Sequence, residues 1–274
     1  MTDLDTGKKT LGPDARVDSL FNGHMVCQQP RQGYRFSVDS VLLAHFSPVL
    51  NGDSVLDMGC GCGIVGLIIL FRWQTLCKKL VGLELQPELA ELAEKNGYLN
   101  GFDNKYKVIE GDLRKIKSYF PAESFSRVVC NPPFYTHGSG RENADRQMQI
   151  ARHQVCSSTD QVMAAASWAV RNKGAVSAVF PADRLVELIN SMNAANLQPK
   201  RMQLVYSYPG QEMRARLVLV EAIKNGGPGL TILPPFYIFQ EKNGAHTKEM
   251  QRMYDGHWEV MESKAEKEPI LSTM

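Results

Sequence analysis

No stretch of the 274-residue chain stays apolar for the ~20 residues that a membrane-spanning helix needs. The longest apolar run, residues 64–71, is short and broken by Gly66. The first ten residues, MTDLDTGKKT, have no apolar core, so no export signal is expected. Cysteine is scarce: six residues in a chain of this length are no disulfide framework. With no export signal, the thiols are expected to be reduced and the protein cytoplasmic. Cys60 and Cys62 could form half of a zinc site, but no second Cys/His pair stands at zinc spacing. His24, His45, His137, His246 and His257 have no partner spacing either, so no metal is expected. An excess of charge is missing too. Thirty-one Lys+Arg against 29 Asp+Glu leave a net +2, which excludes a polybasic protein that binds by bulk charge. Linkers, internal repeats and low-complexity tracts are absent.

What is present is globular. Apolar residues make up 43% and charged residues 22%, and the length suffices for a substantial core. From residue 53 the pattern alternates between strand and helix. Residues 54–58 (SVLDM), 79–85, 106–109, 127–130 and 175–180 read as strands. Residues 64–73, apolar almost all round, read as a buried helix. Residues 88–100 read as another, with Pro87 at a first helical position and Gly101 as its stop. Residues 158–171 and 182–195 are helical by period, the former capped by Ser157 or Ser158. Residues 203–208 and 217–222 read as two strands about the turn at Pro209-Gly210. The expected fold is α/β, a mostly parallel sheet with helices on both faces, closed by an antiparallel hairpin.

The turn after the first of these strands runs Asp57-Met58-Gly59-Cys60-Gly61-Cys62-Gly63. Open α/β sheets bind ligands at the carboxyl ends of their strands, where glycines let a ligand approach the backbone. The spacing is G-x-G-x-G, although Gly66 completes a G-x-x-G from Gly63, so spacing leaves a dinucleotide open. Charge favours another ligand. Asp57 would repel a pyrophosphate but suits an amine. Glu84 ends the second strand, where it can accept from both ribose hydroxyls, and Asp112 follows the third, where it can accept from an adenine amine. Three acids past successive strands form an edge for a cationic nucleoside. S-adenosylmethionine (SAM), with an ammonium, a sulfonium and no phosphate, fits that description.

After the fourth strand comes Asn131-Pro132-Pro133-Phe134. Two prolines stiffen the backbone and hold its carbonyls in fixed directions. Methyl transfer to an exocyclic amine needs such aim, because that lone pair is delocalised into a ring. Two acceptors, the Asn131 side-chain oxygen and the Pro132 carbonyl, would free the lone pair. Phe134 can stack on the base. The motif leaves adenine, guanine, cytosine and a glutamine amide open.

Together, DMGCGCG, LELQPELAELAEKN and the NPPF motif resemble the class I SAM-dependent amino-methyltransferases. GYRFSVDSVLLA at 33–44, IARH at 150–153, EAIKNG at 221–226 and HTKEM at 246–250 narrow the likeness. The set is similar to the bacterial tRNA adenine-N6 methyltransferases that modify the adenine beside the anticodon of valine tRNA. The resemblance spans residues 18–257. It implies a Rossmann-like fold of seven strands with the last reversed, SAM as methyl donor and a tRNA substrate. The GYRFSVDS segment would close over the pocket, with Arg35, Phe36 and Asp39 joining Asp57, Gly59, Gly61, Gly63, Glu84, Asp112 and Asn131 at the cofactor. Asn131, Pro132, Pro133 and Phe134 would be catalytic. One position departs from the family pattern, which usually has tyrosine where this chain has Phe134 followed by Tyr135. Ribosomal-RNA guanine-N2 methyltransferases favour phenylalanine there but carry an extra upstream domain. Release-factor glutamine methyltransferases carry a helical N-terminal domain. Neither addition is expected in this chain.

Residues 135–156 are polar and rich in cations, and a loop beside the chemistry suits RNA. Tyr135, Arg141, Arg146, Arg152 and His153 are its candidate contacts. Lys105, Lys107, Arg114, Lys115 and Lys117, against Glu110 and Asp112, read as a solvated face, while residues 195–224 hold Lys200, Arg201, Arg214, Arg216 and Lys224 against Glu212 and Glu221. The expected organisation is a tail at 1–16, an extension over the pocket at 17–52, the catalytic domain at 53–262 and a second tail at 263–274.

Overall fold

The structure, a computed structural model, describes residues 15–31, 35–132, 157–210 and 213–256. A hairpin of β1 (Ala15–Leu20) and β2 (Met25–Pro30) forms a small sheet of its own. β1 thus begins inside the stretch expected to be tail. Then come α1 (Val38–Phe46), β3 (Asp53–Met58), α2 (Ile64–Arg72), β4 (Cys77–Glu84) and α3 (Pro87–Leu99). β5 (Tyr106–Glu110), a 3-10 turn at Leu113–Lys115, α4 (Ile116–Tyr119) and β6 (Phe125–Cys130) follow. Beyond residue 157 lie α5 (Thr159–Ala169), β7 (Val170–Pro181), a 3-10 turn at Ala182–Arg184, α6 (Leu185–Ala194), β8 (Leu197–Tyr206) and β9 (Leu217–Lys224). Two short strands, β10 (Thr231–Ile232) and β11 (Phe236–Tyr237), precede α7 (Lys248–Asp255).

The large sheet runs β10-β8-β9-β7-β6-β3-β4-β5, with β11 also on β8. β3 pairs in parallel with β4 on one side and β6 on the other, so the winding reverses there. β9 is antiparallel to both β7 and β8. The seven expected strands are all present, with the last of them reversed. β10 and β11 are two-residue additions that lie along β8 in succession. Pro234 and Pro235 fall between them, and without N–H groups they interrupt that edge.

Local chemistry explains the elements. In α2, seven of the nine residues are buried, because it is covered by α1 on one side and the sheet on the other. Ser158 caps α5 in a capping box: its Oγ accepts from Gln161 N at 3.2 Å, and Gln161 Oε1 accepts from Ser158 N at 3.0 Å. β8 starts at Leu197, earlier than residue 203 where the sequence pattern becomes visible. Its first half carries Pro199, and the ladder with β9 shifts register between Pro199 and Arg201, a bulge that hides the alternation. The sheet separates two cores. One gathers Val55, Leu67, Val129 and Val179 with α1 and α2; the other gathers Leu56, Val128, Val176 and Val220 with α5 and α6.

Candidate functional site

Three loops meet at the carboxyl end of the sheet, on either side of the winding reversal. The loop after β3 is held from inside. Gly59, Gly61 and Gly63 have φ of 73°, 56° and 87°, the left-handed region. A Cβ on Gly63 would stand 2.6 Å from the Tyr106 hydroxyl and 3.1 Å from Ala93 Cβ, so α3 and β5 require a glycine there. Glu84, at the end of β4, clamps the loop: Gly61 N donates to its Oε2 at 2.8 Å and Gln86 N to its Oε1 at 2.9 Å. Asp57 accepts from Gly66 N at 3.0 Å, fixing the first turn of α2. Both carboxylates are buried. Burial pushes Asp57 up to about 7 against the pull of the Gly66 N–H, and the Glu84 charge adds to the rise. Burial raises Glu84 as well, partly offset by its backbone donors.

Asn96 of α3 and Asn100, its C-cap, bring the β1–β2 hairpin onto this loop. Asn96 Oδ1 accepts from Gln28 N at 2.7 Å, and its Nδ2 donates to Gln28 O at 2.8 Å and to Cys62 O at 2.9 Å. One turn later, Asn100 Oδ1 accepts from Val26 N at 2.9 Å while its Nδ2 donates to Val26 O at 2.7 Å. Positions i and i+4 of a helix rise about 6 Å, close to the spacing of i and i+2 along a strand. The two amides therefore cover the open edge of β2 as a neighbouring strand would. Cys27 and Cys62 bury their sulfurs 3.6 Å apart at the same junction. The five described cysteines are unbridged and buried.

At the end of β6, Asn131 Nδ2 donates to Ser40 Oγ of α1 at 3.1 Å. Ser40 is itself buried, whereas Asn131 and Pro132 are half-buried. The bond anchors the Asn131 amide to α1 and so fixes the plane in which its oxygen can act. Ser40 was not among the residues singled out from sequence, although it ends the GYRFSVDS segment.

The remaining expected site residues fall as follows. Arg35 is exposed; Phe36 is half-buried, with its N–H donating to Gln29 Oε1 of the hairpin at 3.1 Å. Asp39 is half-buried on α1, and its charge raises the Tyr254 hydroxyl together with burial, the larger cause. Asp112 lies past β5, but its carboxylate is gripped by Arg114 at 2.6–2.9 Å and also caps the 3-10 turn. That guanidinium holds the Asp112 carboxyl below its ordinary range. Pro133, Phe134, Tyr135, Arg141, Arg146, Arg152 and His153 lie outside the described residues.

The C-terminal segment packs on α1 and on the hairpin turn. His45 on α1 bonds the Met253 carbonyl at 3.1 Å, and Phe21 N donates to Tyr254 O at 2.9 Å. His246 is stacked between Phe239 and Tyr254, with ring centroids 5.1 and 5.5 Å away. Among the described residues no group of three or more His, Cys, Asp or Glu could hold a metal, and no helix is long and apolar enough to cross a membrane.

The donor set suits SAM. The loops after β3 and β4 carry left-handed glycines and two carboxylates, and no basic side chain that would hold a pyrophosphate. This sheet order, this loop and the Asn-Pro pair after β6 define a class I SAM-dependent methyltransferase. The model of the methyltransferase small domain family matches residues 37–182, more than half of the chain, and the chain belongs to that family. Similar proteins include the tRNA1(Val) (adenine(37)-N6)-methyltransferase of Aliivibrio salmonicida, 29% identical over 54% of this chain and 61% of that protein. The protein of the same name from Shewanella sp. is 25% identical over 69% of this chain and 78% of its own length. Among solved structures, a predicted O-methyltransferase from Agrobacterium tumefaciens shares the fold. Its TM-score is 0.64 at 22% identity, covering 80% of this chain and 96% of that one.

Proposed function

We propose that the protein transfers a methyl group from SAM to the exocyclic N6 amine of an adenine in tRNA, in the cytoplasm. The observation that carries the amine reading is the Asn131 side chain at the end of β6, anchored to α1 through Ser40; in this reading its oxygen accepts an amine hydrogen. The names of the relatives support adenine and tRNA. When bound, SAM supplies a methyl group on a sulfonium. The chain's own residues do the rest. Asn131 Oδ1 and the Pro132 carbonyl hold the two amine hydrogens, so the nitrogen lone pair turns out of the ring toward the methyl. Pro133 keeps the carbonyl aimed and Phe134 stacks on the base. The new N–CH3 bond replaces the S–CH3 bond, and the amine then releases one proton to water, so no strong base is required.

Asp57 and the Gly59, Gly61 and Gly63 loop would hold the methionine portion of the cofactor. The Glu84 oxygens each keep a lone pair for a ribose hydroxyl, and Asp112 would share its carboxylate between Arg114 and the adenine amine. Arg35, Phe36 and Asp39 would cover the pocket, and Tyr135, Arg141, Arg146, Arg152 and His153 would meet RNA. The test is a comparison of digested RNA from matched strains with and without the gene. Loss of N6-methyladenosine from tRNA is expected. Loss of N2-methylguanosine from ribosomal RNA instead, or no change in any nucleoside, overturns the reading.

A further inference from the structure

The fold divides the basic group of residues 195–224 into two kinds. Three of the five cations are used within the protein. Lys200 Nζ donates to the Pro228 carbonyl at 2.9 Å. Arg201 lies 4.3 Å over the Phe46 ring, donates to the Phe46 carbonyl at 2.6 Å and pairs with Glu221 at 3.5 Å. Lys224 pairs with Glu123 at 3.0 Å and donates to the Val170 carbonyl. Arg214 and Arg216 differ: both are exposed, and among the described residues neither has an acidic partner.

Their place in the sheet is fixed by backbone. Arg216 N donates to Val205 O at 2.8 Å, and Ala182 N donates to Arg216 O at 3.0 Å. Arg216 therefore stands where β7 ends, where β8 ends and where β9 is about to begin. This is the same rim of the sheet that carries Asn131 at the end of β6. Tyrosines occupy the neighbouring positions. Tyr206 ends β8, and its ring lies 5.6 Å from that of Tyr237, which pairs with it from β11. Tyr208 follows two residues later, and all three are half-buried, with part of each side chain open to solvent. The described stretches 204–210, 213–217 and 236–240 carry no acid, and the described acids that border them, Asp183 beyond β7 and Glu241, form no ion pair with either arginine.

Cations without acidic partners next to partly open aromatic rings are the two features that bind single-stranded nucleic acid, one for phosphates and one for bases. Resting on the reading above, we infer that the rim formed by Tyr206, Tyr208, Tyr237, Arg214 and Arg216 holds the RNA strand that flanks the target nucleotide. Strands in a sheet are about 5 Å apart, which puts β9 roughly 10 Å and β8 roughly 15 Å from β6. A short run of extended strand leaving the base at Asn131 reaches that far. The rim thus supplies, from the catalytic domain itself, the substrate grip that the near-neutral charge of the whole chain conceals.

The test is steady-state methylation of a tRNA transcript by the full chain at several salt concentrations, with SAM affinity measured in parallel. The variants are Arg214→Ala with Arg216→Ala, Arg216→Glu, Tyr206→Leu and, as the control that keeps the ring, Tyr206→Phe. The arginine variants are expected to raise KM for tRNA, and each removed phosphate contact to lower the slope of log affinity against log salt by about one. Tyr206→Leu is expected to weaken tRNA binding roughly five- to 150-fold, with Tyr206→Phe near wild type. SAM affinity stays unchanged throughout. If the wild type methylates tRNA and the arginine variants keep its KM and salt slope, or lose only kcat, the rim is refuted while the proposed function stands. If Tyr206→Leu does not fold, the arginine variants decide alone. A wild type that methylates a protein amide and no tRNA overturns both.

Discussion

Replacing Asp57 by asparagine tests whether the carboxylate behind the glycine loop is held at an electrostatic cost. In the folded protein its pKa rises from the ordinary 3.8 to about 7, chiefly through burial. The folded state therefore keeps a proton across a window in which the unfolded chain has already lost it. Folding is favoured below that window, and stability falls as pH rises through it until the folded carboxyl ionises near 7. Integrated between pH 5 and 8, the difference is about 2.5 kcal/mol. The amide introduced by Asp57→Asn cannot ionise, yet its side-chain oxygen can still accept from Gly66 N. Glu84, raised in the same direction, is common to both proteins and largely cancels in the comparison. Urea denaturation of wild type and Asp57→Asn at half-unit steps should give curves that diverge by about 2.5 kcal/mol over this range, with the variant gaining at high pH. SAM binding should oppose the trend: an ammonium beside Asp57 favours the ionised form, so wild-type affinity rises up to about tenfold per pH unit below 7 and the variant's stays flat. Parallel stability curves would refute the buried, protonated carboxyl. A flat wild-type SAM affinity would refute its role toward the ammonium.

Two other substitutions probe the geometry. Ser40→Ala frees the Asn131 amide to rotate; at about 1 kcal/mol for the lost bond, kcat should fall roughly fivefold with SAM affinity unchanged. Asn131→Ala removes the acceptor itself and should lower kcat by about 10²–10³-fold. Stopped-flow or single-turnover methylation with parallel calorimetry separates these effects, and a wild-type kcat in Ser40→Ala would show that Ser40 does not position the amide. Asn96→Leu leaves the Gln28 backbone groups and the Cys62 carbonyl buried without partners, so a loss of about 3–5 kcal/mol in chemical denaturation is expected. The hairpin should also become sensitive to protease at 15–31, and wild-type stability together with wild-type protection would show that Asn96 does not hold it.

The order of side chains along the sequence determined the strand and helix alternation, the glycine loop, the acids past successive strands and the rigid Asn131-Pro132 pair. Each of these is written in neighbours a few positions apart, where period and turn chemistry act. What is masked locally escaped: the first half of β8, which runs through a proline bulge, and the β1–β2 hairpin, in which the open edge of β2 is covered by side chains from a distant part of the chain. The roles of individual polar groups were decided only by tertiary structure. Nothing near Asn131 in sequence announces Ser40, 91 positions away, or tells that Asn96 would bracket residues 28 and 62. Asp112 and Arg114 are neighbours, yet both were free to do otherwise until β5 and the following turn set them face to face. The five cations of 195–224 look alike in sequence. The fold gives three of them carbonyls and acids, and leaves Arg214 and Arg216 exposed at the carboxyl end of the sheet without an acidic partner among the described residues. A charge has no fixed meaning until packing decides what faces it, because its energy depends on its partners and on how much water remains around it.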